Sequence, residues 1–161
     1  TIRSGMIRAF TEGSKECGIL PAEWTVTEKL AIEQAIAYEN QWIAGFASAV
    51  EKGNKASGGK LGVLWPRSEI WIGRYEGLRD KAKTMTCGDR KLMWKLGAAK
   101  VHCSSCLKLS GKVKRASYWR DKGILPRVHG ASYLECQGFL CSCEFVVTDE
   151  PMSKGPLPSL P

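Results

Sequence analysis

Apolar positions recur with a helical period through the first half of the chain and with a shorter, strand-like texture through the second. Ile32, Ile36, Ile43, Phe46 and Val50 follow one another at spacings of four, seven, three and four. That is one face of a helix, widened by Ala35, Trp42 and Ala49. Thr25 with Glu28 three residues on forms a capping-box pattern and predicts where the helix starts. Gly53-Asn54 predicts its end, in the manner of a left-handed C-terminal residue. A second stripe, Trp71, Tyr75, Leu78, Ala82 and Met85, steps by four, three, four and three. It predicts a helix starting near Pro66 to Ser68 and broken at Cys87-Gly88-Asp89. The two apolar faces are expected to pair, leaving Arg74, Arg79, Lys81 and Lys83 solvated on other faces. Ile2, Met6, Ile7 and Phe10 give the chain an amphipathic start, and residues 53–62 read as a flexible connection.

After Asp89 the pattern shortens. Leu92 to Leu96 reads as a strand stopped at Gly97, and Val113 to Arg115 as a second. Leu107-Lys108-Leu109 runs into a turn at Ser110-Gly111. Ser117 to Gly123 looks like one helical turn, capped by Ser117 and closed by Gly123. Glu144 to Val147 predicts a last strand. Pro151 to Pro161 holds four prolines in eleven residues, so this tail is expected to be extended and poorly ordered unless a partner holds it. The expected architecture is α+β: antiparallel N-terminal helices over 1–89, a small zinc-ribbon-like β subdomain over 90–149, and an extended Pro-rich tail over 150–161.

The chain has 161 residues, 43% of them hydrophobic, enough for a real core. No run approaches the roughly 18 apolar residues of a membrane span, so no membrane partner is expected. No secretory signal opens the chain, and Thr1 in place of Met suggests a processed or cut N-terminus.

Net charge is +8 and unevenly spread. Residues 1–89 carry 12 Lys or Arg against 11 acids, residues 90–127 carry 11 against one, and residues 128–161 carry one against four. The excess sits between and beside the cysteine clusters, where it favours a polyanion by counterion release without specifying sequence. Candidate contacts to double-stranded DNA are Lys100, Lys108, Lys112, Lys114, Arg115, Arg120, Lys122 and Arg127. A merely solvated basic face is the competing reading. Trp94, Tyr118 and Trp119 lie among them; they are better read as a small core behind a metal knuckle than as a stacking platform for bases.

Seven cysteines are an odd number, which argues against a fully disulfide-paired framework. Cys17 and Cys87 stand alone and read as small buried hydrophobes. The other five form Cys103-Ser-Ser-Cys106 and Cys136-x4-Cys141-x-Cys143. Zinc takes four sulfur or nitrogen ligands at tetrahedral corners, usually as two pairs from two turns. Cys103 and Cys106 are the firm pair; two of Cys136, Cys141 and Cys143 complete the set, with Cys136 and Cys141 favoured. His102 or His129 could replace one cysteine, although exposed loop histidines are the simpler reading. The expected cofactor is structural Zn2+, contributing stability that the poorly aliphatic C-terminal third lacks. Glu135 and Glu144 flank the second cluster, but no His-Glu-x-x-His pattern, phosphate loop or nucleophile elbow accompanies them, so neither an enzyme nor a small-molecule substrate is expected.

The order W-K-L-G, C-x-x-C-L-x-L-x-G-K-V, Y-W-x-x-x-G-I-L-P and L-E-C-x-G-F-x-C-x-C, from Trp94 to Cys143, resembles the C-terminal region of tailed-bacteriophage head morphogenesis (minor head, Mu F-like) proteins. Trp71-x3-Tyr75 ahead of it fits that family more loosely. The resemblance implies a non-enzymatic virion protein made in the host bacterial cytoplasm. It implies portal or capsid partners and a role in head assembly, DNA packaging or delivery. Family members commonly end this region with His-x-x-Cys-x-Cys, where this chain has Cys136-x4-Cys141-x-Cys143. The alternative reading is a free-standing zinc-ribbon regulator that binds nucleic acid.

Overall fold

The computed structural model describes residues 2–56, 62–99 and 101–161. Its helices are α1 (Ile2–Glu16), α2 (Val26–Ala56), α3 (Trp65–Thr86), α4 (Ser104–Leu109) and α5 (Ala116–Lys122). Its strands are β1 (Lys91–Lys95), β2 (Val113–Arg115) and β3 (Glu144–Val147). The architecture is α+β, as the sequence predicts. Among the described residues, no helix is long and apolar enough to cross a membrane.

The capping box forms as expected: the Thr25 N–H donates to Glu28 Oε2 at 2.6 Å, and the Glu28 N–H donates to Thr25 Oγ1 at 3.4 Å. Helix α2 outruns its predicted end, continuing through Gly53 to Ala56. Part of the expected connection, residues 57–61, lies outside the described residues.

The helical pairing differs from expectation. Helix α3 packs most extensively on α1, because Gly13 lets the two backbones touch. A Cβ at Gly13 would meet the Arg79 carbonyl oxygen and come within 2.8 Å of the Ala82 Cβ. Met6, Ala9, Phe10, Trp24, Ile32, Ile36, Leu78 and Ala82 fill the resulting core. Only the first half of the α2 stripe is buried there; Ile43, Phe46 and Val50 are half-buried and Trp42 is exposed.

The cations of α3 do not simply face solvent. Lys83 is 1% exposed and pairs with Asp80 at 3.3 Å and Glu16 at 3.0 Å. Arg74 pairs with buried Glu39 at 2.7 Å, and Arg79 with Glu16 at 2.7 Å.

The sheet is antiparallel in the order β2-β1-β3, with Trp94 opposite Phe145 and Leu92 opposite Lys114. A second core beneath it joins Leu92, Trp94, Leu109, Trp119, Leu134 and Phe145. The Trp119 indole donates to the Leu92 carbonyl at 3.0 Å. Helix α5 starts one residue before the expected cap; Ser117 instead donates to Asp89 at 3.0 Å. Gly123 closes α5 in the left-handed conformation (φ 64°), as its position predicts.

Two features escaped the sequence for one reason: distant partners that leave no local pattern. Cys17 and Cys87 are buried, as expected, but they are bonded to each other, tying the end of α1 to the end of α3. The tail is held by the chain itself. Ser153 exchanges bonds with Val113 at the β2 edge, and Leu157 and Leu160 pack on the second core.

Candidate metal centre

Cys103 occupies the N-cap of α4, with extended backbone (φ −68°, ψ 159°), and its sulfur accepts the Cys106 N–H at 3.5 Å. The two-residue gap thus places both sulfurs on one side of a tight turn, with Cys106 inside the helix and buried. Leu107–Leu109, read only as leading into the turn at Ser110-Gly111, are the rest of α4, because this turn propagates.

The second cluster returns through consecutive turns. Gln137, Gly138 and Leu140 all have positive φ, and Gly138 lies against the Val128 carbonyl so closely that a side chain there would clash. Gly97, just after β1, similarly abuts the Ser142 backbone. These approaches bring Cys136, Cys141 and Cys143 onto α4.

All five cysteines of the two clusters meet. They form two groups of three, Cys103–Cys106–Cys136 and Cys106–Cys141–Cys143, with the sulfurs in each group within 4.8 Å of one another. The Cys106 and Cys141 sulfurs are 3.9 Å apart. These groups could hold a metal ion. Cys136 and Cys141, the favoured pair, fall in different groups, and Cys143, the alternate, joins Cys141 in the second.

The local electrostatics separate the five. Hydrogen bonds from Cys106 and then Cys143, with the backbone N–H groups of Cys143 and Arg127, pull Cys141 down to about 2 against the effect of burial. Burial works against ionisation of Cys103 too, yet N–H groups of Cys106 and Cys136 hold it below the ordinary thiol value. Cys106 is pushed up, chiefly by its bonds to Cys141 and Cys143. Burial pushes Cys136 up to about 12 against the Gly138 N–H. Cys106 draws Cys143 down, but Cys141 and burial outweigh it and leave Cys143 at about 11. Thiols this close cannot all ionise unaided; a cation that replaces their protons removes the repulsion.

The surroundings favour sulfur anions. The buried Trp94 indole N–H has no conventional partner and faces Cys143, favouring its thiolate. Arg127 donates to the Ser142 carbonyl at 2.7 Å. Glu135 accepts the Ser104 N–H at 2.8 Å, and Glu144 pairs with Lys95 at 3.7 Å. His102 lines the thiol cavity, whereas His129 faces the α2–α3 side; neither belongs to a metal-ligating group among the described residues.

The basic candidates scatter. Lys100 lies outside the described residues. Lys114 is buried and donates to the Ser153 and Gly155 carbonyls at 2.7 and 2.6 Å. Lys108 donates to the Ser159 carbonyl at 3.0 Å. Arg115 pairs with Asp89, Arg120 with Asp121, and Arg127 with Glu76. Of the described candidates, only the side chains of Lys112 and Lys122 have no ion-pair or hydrogen-bond partner among the described residues. Trp94 and Trp119 are fully buried in the core, as their reading predicts.

Sequence reasoning missed the Trp94 indole, the Arg127 backbone N–H and the turn at Gly138, because each acts through the fold rather than through spacing. In comparisons with known proteins, no family model, curated sequence or solved structure matches this chain.

Proposed function

We propose that this chain is a non-enzymatic structural protein of a tailed-phage head, clasped by zinc through its cysteine cluster. The observation that carries the reading is where the family-like motif falls. Trp94, Cys106, Leu109, Val113, Trp119, Leu134 and Cys143, all within that motif, are buried side chains of the sheet, core and thiol cluster. These motif residues therefore build this fold, which supports reading the resemblance as one of architecture. Two cysteine-bearing turns beside a three-stranded antiparallel sheet support reading this part as zinc-ribbon-like.

Two further features support a structural role. The carboxylates flanking the second cysteine cluster are engaged, Glu135 on an α4 amide and Glu144 on Lys95, so neither is poised as a general base. The chain also combines a disulfide with a cluster of thiols. A protein assembled in a reducing cytoplasm, where thiolates load metal, and then released in an oxidising medium would acquire both.

In this reading zinc, bound by cysteine thiolates, contributes folding free energy to residues 92–147. Lys112 and Lys122, with Lys108 at the tail, would face DNA without reading sequence. Proteomics of purified particles and portal rings tests the proposal. Peptides of this chain should co-purify with particles; confinement to the particle-free soluble fraction would contradict it, and sequence-selective DNA binding there would favour the free-standing regulator.

A further inference from the structure

The two thiol groups share Cys106 and no other residue. A single four-thiolate zinc needs four mutually close sulfurs, with edges of about 3.8 Å for Zn–S bonds of about 2.3 Å. Here the five sulfurs divide instead into two triangles that meet at one vertex. That vertex is the buried cysteine inside α4, reached by Cys136 and Cys103 on one side and by Cys141 and Cys143 on the other.

We propose that the cluster holds two zinc ions, one in each three-sulfur group, bridged by the Cys106 thiolate. The proposal rests on the metal reading above and deepens it. As five thiols bind two divalent ions they release five protons to solvent, leaving the centre one unit negative, a charge suited to the Arg127 side and the buried Trp94 N–H. Thiolate sulfur retains lone pairs after binding one ion, and soft sulfur ligands suit closed-shell ions such as zinc. Each ion then lacks one ligand. His102 and Ser142 line the same cavity of about 250 Å³, and the Ser142 hydroxyl is buried without a hydrogen-bond partner. They are the non-sulfur side-chain donors there. The fifth cysteine, superfluous for one tetrahedron, thereby acquires a role.

Native mass spectrometry of the full chain loaded with zinc tests this. Two tightly retained zinc ions per chain are expected, falling to one in Cys143→Ser. One zinc in the wild type, unchanged in Cys143→Ser, would overturn the two-ion centre while leaving a single metal clasp intact. No retained zinc would remove both readings. Cadmium-113 substitution gives a readout independent of any variant's folding: two cadmium resonances, each correlated to the Cys106 β-protons. A single resonance, or two without that shared correlation, would contradict the bridge.

Discussion

Asp80 on α3 accepts the backbone N–H of Phe145 on β3 at 3.0 Å. The Phe145 carbonyl in turn takes the Lys83 ammonium at 2.6 Å. Both side chains are buried, so one residue of the sheet is gripped at both backbone polar groups by a single turn of α3. Phe145 stands two residues after Cys143 and packs its ring on Trp94 and Trp119. The helical part and the thiol cluster are thus joined through one strand position.

Removing Lys83 should therefore cost more than a surface change. Lys83→Ala leaves a buried carbonyl and a buried carboxylate without their cation, and breaking a buried pair typically costs about 3–5 kcal/mol. Denaturant unfolding measures this; a loss below about 1 kcal/mol would mean the pair is solvated.

Asp80 should titrate near neutrality. Burial raises it to about 7, outweighing the attraction of Lys83, the Phe145 N–H and Arg127. Its second oxygen is buried without a partner and is free to take the proton. Because the folded value lies above the unfolded one, this group's contribution to stability is fully present below about pH 4 and lost as the pH rises through about 7. Carbon-13 NMR of the Asp80 carboxyl should show that midpoint, and Asp80→Asn should remove the corresponding slope of stability. A midpoint at the ordinary carboxylate value would contradict the assignment.

The Cys17–Cys87 bond closes a separation of 70 residues. Loop-closure entropy puts the loss in the double alanine variant on the order of 4 kcal/mol. Alkylation in denaturant with chelator should label five thiols before reduction and seven after. Seven labelled at the outset would show the pair to be reduced.

DNA binding should depend on few lysines. Lys114 is held by the tail and Arg115 by Asp89, so changing them would disturb the fold as well as the charge. Lys112→Gln with Lys122→Gln is the cleaner variant. It should reduce the steepness of log K against log salt by about 1.8, uniformly across sequences. An unchanged slope would remove these residues from the DNA-facing surface.

Local signals were legible in the sequence: the α2 capping box, the α3 stripe, the three strands, the helix stop at Gly123 and the two cysteine clusters. Each arises from interactions within a few residues. What escaped the reading depends on long-range approach. Gly13 permits α1 rather than α2 to lie closest to α3, although nothing beside it signals that contact. The disulfide, the tail's pairing with Val113 and the burial of Lys83 have the same origin. The charge count suggested one basic face; the fold instead pairs most of those cations internally.

Zinc analysis combined with chelation tests the central claim most directly. The purified chain should contain zinc, and stripping it should abolish the near-ultraviolet signal of buried Trp94 and Trp119 while leaving most helical ellipticity from α1 to α3. A metal-free chain with that tertiary signal intact would contradict the clasp.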